Sequence, residues 1–334
     1  MRSLKFGAAL LALSMLGIGT VHAADPVKIR GSWVAPVSNW GSIWLEKKDL
    51  ARHFGKSYVF ESTRFQGTPP MITAIANNEL EIANLTYSTL PIAIQNAGLD
   101  DLRVIADEFQ DGNPGTYSNE FNVLNDGPIK KVEDLKGKVV ATNAAGSAVD
   151  IAMRAMLRKH GLEDRRDYTV VEGPFPAMRA MLAEKKVDLI PAVLPFSYDP
   201  ELKKISHALF TTKDAVGVTQ FSVWMARKSF IDKNRAALVD FLEDSIRIVR
   251  WYLDPANHKE VMEIAARITK QPPERFDWVF TSKDNYRDPN MMPNLTALQA
   301  NVDTVKDLGF VRASFDVKKY SDLGLVEEAA KRLQ

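Results

Sequence analysis

Cysteine is missing from all 334 residues, which excludes disulfides, a thiolate metal site, a thiol nucleophile and a cysteine-borne lipid anchor. Histidine is scarce. His22, His53, His160, His207 and His258 are scattered and never fall at metal-ligand spacing. No excess of one charge exists either: Lys+Arg 43 against Asp+Glu 42 leaves +1, so neither nucleic acid nor an anionic membrane surface is implied. Gly55-Lys56-Ser57 ends like a phosphate-binding loop, but Leu50 stands where its first glycine belongs. The chain has no Gly-x-Ser-x-Gly elbow, no His-Glu-x-x-His pair, no internal repeat and no low-complexity segment.

What is present is globular. Hydrophobic residues at 46% and charged residues at 25% fit two ordinary domains with a sizeable core. The first 23 residues read differently. Arg2 and Lys5 form a basic start, Phe6 to Ile18 an apolar run, and Val21-His22-Ala23 a small-residue cleavage site. That run is 13 residues long, short of the roughly 20 needed to span a bilayer. Export with cleavage after Ala23 is expected, and loss of Arg2 and Lys5 takes the +1 to −1.

From Pro128 to Tyr198 strands alternate with helices. Val139-Val140-Ala141-Thr142, Tyr168-Thr169-Val170-Val171 and Val187-Asp188-Leu189-Ile190 read as short buried strands. Between them run a helix from about Ala148 to His160, stopped by Gly161, and one begun by Pro176. This alternation predicts right-handed crossovers and a parallel sheet covered on both faces, with ligands at the strand-to-helix edge. Asn143-Ala144-Ala145-Gly146-Ser147 lies at that edge. Gly146 permits close approach, Ser147 caps the helix, and the first free N–H groups carry partial positive charge: a seat for an anion. The plainer reading of Ser147 is a cap and nothing more.

The N-terminal part repeats the pattern. Val27 to Trp33 is a strand, Ser38-Asn39 start a helix over Trp40 to Leu50, and Tyr58 to Ser62 is a second strand. Gln66-Gly67-Thr68-Pro69-Pro70 turns into a helix over Met71 to Asn78, with proline where a missing N–H costs nothing. Glu81 to Leu85 is a third strand, and Tyr87-Ser88 opens a further helix. Asp100-Asp101 and Asp107-Glu108 read as a solvated turn. Asn119 to Leu124 and Thr219 to Ala226 read as the two crossings of an inserted second lobe. Beyond Ser229 the chain is mainly helical, over Asn234 to Leu253, Pro255 to Thr269 and Met292 to Leu308.

Pro128-Ile129, Leu135-Lys136-Gly137-Lys138-Val139, the Gly146-Ser147 helix start and Val187-Asp188 together resemble the solute-binding proteins of ABC importers for sulfonates, taurine and nitrate. The resemblance runs through nearly the whole chain after Ala23. Members carry a Trp, an acidic or small residue, a Pro and an aromatic after that last strand; here Val193, Leu194, Pro195 and Phe196 stand there. Gln66-Gly67 replaces a Gly pair, and Leu85-Thr86-Tyr87-Ser88 replaces a Val-Gly turn.

The resemblance implies an α/β, two-lobed periplasmic binding protein-like fold, each lobe a mostly parallel sheet with helices on both faces. Its segments are 1–23 (signal peptide), 24–120 and 223–334 (first lobe), and 121–222 (second lobe). It further implies a monomeric periplasmic protein that captures a small organic anion by lobe closure and delivers it to an ABC permease, without cofactor or metal. An enzyme on the same fold is the alternative. The related proteins that make the thiamine pyrimidine rely on a Cys-rich motif, which a cysteine-free chain lacks. A periplasmic sensor subunit with the same pocket is a third reading.

The expected contacts lie on the facing lobe edges. They are Ser38, Asn39, Trp40, Gln66, Gly67, Thr68, Tyr87 and Ser88 from the first lobe, and Asn143, Gly146, Ser147, Phe175, Pro195 and Phe196 from the second. The aromatics among them point either to a ligand with an apolar body and a charged end, a sulfonate or an aromatic carboxylate, or to packing of the lobe interiors.

Overall fold

The computed structural model describes residues 25–334, so the expected signal peptide lies outside the described residues. Its ten strands are β1 (Val27–Trp33), β2 (Tyr58–Arg64), β3 (Ile82–Thr86), β4 (Leu102–Asp111), β5 (Glu120–Leu124), β6 (Lys138–Thr142), β7 (Tyr168–Glu172), β8 (Ile190–Ala192), β9 (Ser206–Thr211) and β10 (Thr219–Arg227). They form two lobes. In the first, β1 pairs in parallel with β2, and β10 lies between β3 and β4. The Glu81 N–H donates to the Arg30 carbonyl (3.0 Å) and joins β3 to β1. In the second, β6 pairs in parallel with β7, and β5 lies between β8 and β9. A single parallel bridge, Val140 to Leu189, joins these two groups.

The sheets are less parallel than expected. β10 is antiparallel to β3 and β4, and β5 is antiparallel to β8 and β9. Each is an inner strand that the chain enters directly after changing lobes, and so it runs against its neighbours. The crossings themselves are therefore the short segments 112–119 and 217–218, which precede the strands read as crossings from the sequence. The last strand of the central stretch also sits later than expected, at Ile190–Ala192.

The helices are α1 (Trp40–Ile43), α2 (Pro69–Ala76), α3 (Thr89–Gln95), α4 (Ala148–Lys159), α5 (Met178–Ala183), α6 (Pro200–Ile205), α7 (Thr212–Val216), α8 (Lys228–Leu253), α9 (His258–Thr269), α10 (Leu295–Asp307) and α11 (Gly324–Lys331). The helix expected over Trp40 to Leu50 stops at Ile43 and continues as tighter turns over Trp44–Leu50, kinked at Lys47. Tertiary contacts outweigh helical propensity there. The Trp44 indole N–H donates to Ser245 Oγ (2.9 Å), and Asp244 receives the N–H groups of Arg52 and His53 (both 2.8 Å). α8 starts earlier than expected, at Lys228, and is interrupted at Asn234.

Asp107 and Glu108 are not in a solvated turn. They lie inside β4, at 1% and 0% exposure, with Asp111 at 0% at its end. Burial pushes the Asp107 carboxyl up to about 7 and the Asp111 carboxyl up to about 6, and raises Glu108 in the same direction. Hydrogen-bond donors hold these acids. Gln220 Nε2 and the Asp288 N–H reach Asp107, while Ser118 Oγ and the Asn119 N–H reach Asp111.

Candidate functional site

Between the lobes lies a cavity of about 60 Å³. Residues from both lobes line it, with Asn119 from the first crossing, so the strand-edge loops meet there as the alternation of elements predicts. One side is apolar: Val34, Phe109, Phe175, Val193, Leu194 and Phe221. Phe109 and Phe221 stack with ring centres 5.2 Å apart. The other side is a ring of amides and hydroxyls, and no Asp, Glu, His, Lys or Arg lines the cavity.

The second-lobe floor is the start of α4. Gly146 takes a φ of +78°, and any Cβ there would come 3.2 Å from Ile92 Cδ1, which accounts for glycine at this turn. Ser147 caps the helix by accepting from the Asp150 N–H (3.4 Å), and its own proton goes to Asn143 Oδ1 (2.8 Å). The hydroxyl proton is thus directed at Asn143 and away from the cavity. The N–H groups of Ala148 and Val149 open the helix and have no acceptor within it, and both residues line the cavity. Asp150 ends the first turn. Its carboxylate accepts from the Gly146 N–H (2.8 Å) and pairs with Arg154 (2.9 Å), although burial still raises its pKa.

Six of the expected contacts meet at this cavity: Ser38, Asn39, Thr68, Asn143, Ser147 and Phe175. Four others serve the walls behind it. Gln66 and Gly67 pack on Asn143 from the opposite lobe. Ser88 Oγ bonds Thr86 Oγ1 (2.9 Å), and the Gly146 N–H is held by Asp150. Neither large aromatic lines the cavity. Trp40 stacks on Phe280 (5.3 Å) beneath the Arg287 guanidinium (5.4 Å), and the Tyr87 hydroxyl donates to the Ala148 carbonyl (2.8 Å). A buried ring beside a polar loop finds more apolar area in the core than in a small cavity. Pro195 and Phe196 line a separate outer groove of about 320 Å³ with Trp33, Arg64 and Phe276.

Other lining residues were missed: Val34, Ala35, Asn84, Thr86, Phe109, Asn119, Ala148, Val149, Val193, Leu194, Phe221, Ser222 and Asn285. Some carried a signal. Asn119 and Ser222 stand in the segments read as crossings, whereas Val193 and Leu194 stand where family members carry a Trp and an acidic or small residue, and that departure withheld a contact there. Asn285, from the loop before α10, had none. Asn119 is the most telling: it is 2% exposed, and its side chain makes no hydrogen bond among the described residues.

Buried Arg287 braces this side of the site. It pairs with Asp284 (2.9 Å), donates to the carbonyls of Ser38 (2.9 Å) and Asn285 (3.1 Å), and lies over the rings of Trp40, Phe109 and Phe280. Far from the cavity, His53, Asp240 and Glu243 come together, a cluster that the scattered histidines did not foretell. Their carboxylates already pair with arginines, Asp240 with Arg332 (2.9 Å) and Glu243 with Arg247 (2.7 Å).

Two lobes, two crossings and a cavity at the crevice define a ligand-binding fold of the periplasmic binding protein type. The chain belongs to the NMT1-like family, whose model matches residues 22–266. Among solved structures it is similar to the alkanesulfonate-binding protein SsuA from Xanthomonas axonopodis pv. citri bound to MOPS, at 17% identity and a TM-score of 0.70 over 90% of this chain and 100% of that one. It is also similar to the periplasmic nitrate-binding protein NrtA from Synechocystis PCC 6803, at 16% identity and 0.71 over 92% and 89%. The desulfurization enzyme DSZB shares the fold at 12% identity and 0.64 over 92% and 100%. No curated protein matches the chain in sequence.

Proposed function

We propose that this protein captures a small organic anion between its lobes as the periplasmic substrate-binding component of an ABC importer. In this reading it acts as a monomer, is exported with residues 1–23 removed, and closes residues 24–120 and 223–334 on residues 121–222. The observation that carries the reading is the α4 start. Two residues whose amide N–H groups lack helical acceptors, at the positive end of a 12-residue helix, line a cavity whose Asn119 side chain is buried and unpartnered. The apolar side gives room for a hydrocarbon body, as in a sulfonate or carboxylate. The relatives named above as sulfonate- and nitrate-binding proteins support the same class.

Capture without turnover is favoured over catalysis because the lining offers only amides, hydroxyls and hydrocarbons. Ser38 gives its proton to a main-chain carbonyl and Ser147 to an amide oxygen, the Glu108 carboxylate that holds the Ser222 proton is already occupied by Asn39 and the Trp40 N–H, and no cysteine exists in the chain. A thermal-shift screen of sulfonates and carboxylates on protein lacking residues 1–23 tests the reading, with bound compounds recovered and analysed. A ligand at about 100 times its Kd adds roughly 2.7 kcal/mol of stability. Chemical conversion of the bound compound, or stabilisation only by neutral and cationic compounds, would overturn it.

A further inference from the structure

Glu108 lies fully buried in β4, immediately behind the cavity, and no Lys or Arg pairs with it among the described residues. Three donors converge on it: Asn39 Nδ2 (3.0 Å), the Trp40 N–H (3.0 Å) and the Ser222 hydroxyl. Two of these residues, Asn39 and Ser222, line the cavity, and so does Asn84.

Their orientations are fixed from the far side. Asn39 Oδ1 accepts from the N–H groups of Val34 (3.0 Å) and Ala35 (2.8 Å), so its NH₂ must face Glu108. Asn84 Oδ1 accepts from Ser32 Oγ (2.8 Å), a stronger acceptor than Met71 Sδ (3.2 Å), while Ser32 Oγ accepts from the Asn84 N–H (3.1 Å). An ionised carboxylate has no proton to give, so Ser222 must donate to it. Ser38 is committed in the same way, with its proton on the Leu194 carbonyl (3.0 Å). Toward a ligand, Ser38 and Ser222 therefore present lone pairs alone. The α4 start on the other lobe presents N–H groups, and so the cavity has an acceptor side and a donor side.

We infer that the captured anion carries a hydrogen-bond donor, such as a hydroxyl, apart from its anionic group, and that Glu108 is the positioning residue that imposes this preference by holding the Ser222 proton. The inference rests on the anion reading above. A ligand lacking the donor would leave two buried lone-pair sites facing hydrocarbon, which is the costlier arrangement.

The test is titration calorimetry with two matched pairs, 2-hydroxyethanesulfonate against ethanesulfonate and lactate against propanoate. The hydroxylated member of at least one pair is expected to bind about tenfold or more tightly. In Glu108→Gln the amide brings a donor into a cluster of donors, freeing the Ser222 proton, and the ratio should fall toward one. Ser222→Ala, which leaves the carboxylate in place, should lower the ratio equally and serves if Glu108→Gln fails to fold. The ratio between pair members is the readout, because general loosening of the site weakens both alike. Equal affinities within both pairs, or a ratio unchanged in both variants, would overturn the inference and leave the anion reading standing. Failure of all four compounds and of the wider anion screen would sink the anion reading and this inference together.

Discussion

Gln66 and Asn143 face each other across the cleft, and each donates its side-chain amide to the other's main-chain carbonyl, at 3.1 and 3.2 Å. The pair exists only while the lobes are closed. Gln66→Ala removes one of the two bonds, each worth about 1 kcal/mol net. Ligand affinity should fall roughly fivefold, with little change in the melting temperature of the unliganded protein. Calorimetry reads the affinity, and small-angle scattering should show a larger radius of gyration at subsaturating ligand than in the wild type.

Gly67 offers a sharper probe of closure. A Cβ added there would lie 2.8 Å from Asn143 Nδ2 and 3.0 Å from the Ala144 Cβ, both on the opposite lobe. Gly67→Ala should prop the lobes apart and weaken binding by about tenfold or more, on the scale of a 1–3 kcal/mol overpacking penalty. Wild-type affinity in this variant would show that the closed lobes do not meet at this point.

Ser147→Ala should act on stability first. Its cap of α4 is worth about 1 kcal/mol, readable by denaturant unfolding. Because the Ser147 proton points at Asn143, binding of an anion and of its neutral analogue should weaken by similar factors, through the loosened Asn143. A selective loss for the anion would show that the hydroxyl turns to the ligand.

The Asp107 carboxyl titrates at about 7 in the folded protein, against an ordinary value of 3.8. Its native form holds a proton that the unfolded chain has already lost. The contribution to stability is therefore greatest at low pH, falls as pH rises from about 4 to about 7, and stays low above. Asp107→Asn removes that titration, so the wild-type minus variant stability difference should drift downward across this window and flatten above it. Thermal melts at half-unit pH steps provide the check, and a difference independent of pH would contradict a raised Asp107.

Most strands were legible because buried β segments announce themselves locally, as Val139 to Thr142 and Glu81 to Leu85 do, but β9 went unread and β8 lies later than read. The cap at Ser147 and the turn at Gly67 were legible for the same reason: each is a local chemical necessity. The buried carboxylates of β4 were not. Asp107-Glu108 looks solvated until Asn39, Ser222, Gln220 and the Asp288 N–H arrive from segments remote in sequence. Trp40 and Tyr87 misled in the opposite direction, since aromatic residues beside polar loops resemble ligand platforms. Asn285 was invisible, as a lone asparagine in a long loop carries no local mark of what it will face.

The placement of β10 sets an order of assembly. It fills the gap between β3 and β4, yet the whole second lobe precedes it in the chain. A chain emerging N-terminus first thus presents a first lobe with an open slot, while every strand of the second lobe is already to hand. The inserted lobe can mature early; its host must wait, with the buried acids of β4 facing water, until the returning strand brings Gln220 and Ser222 to meet them.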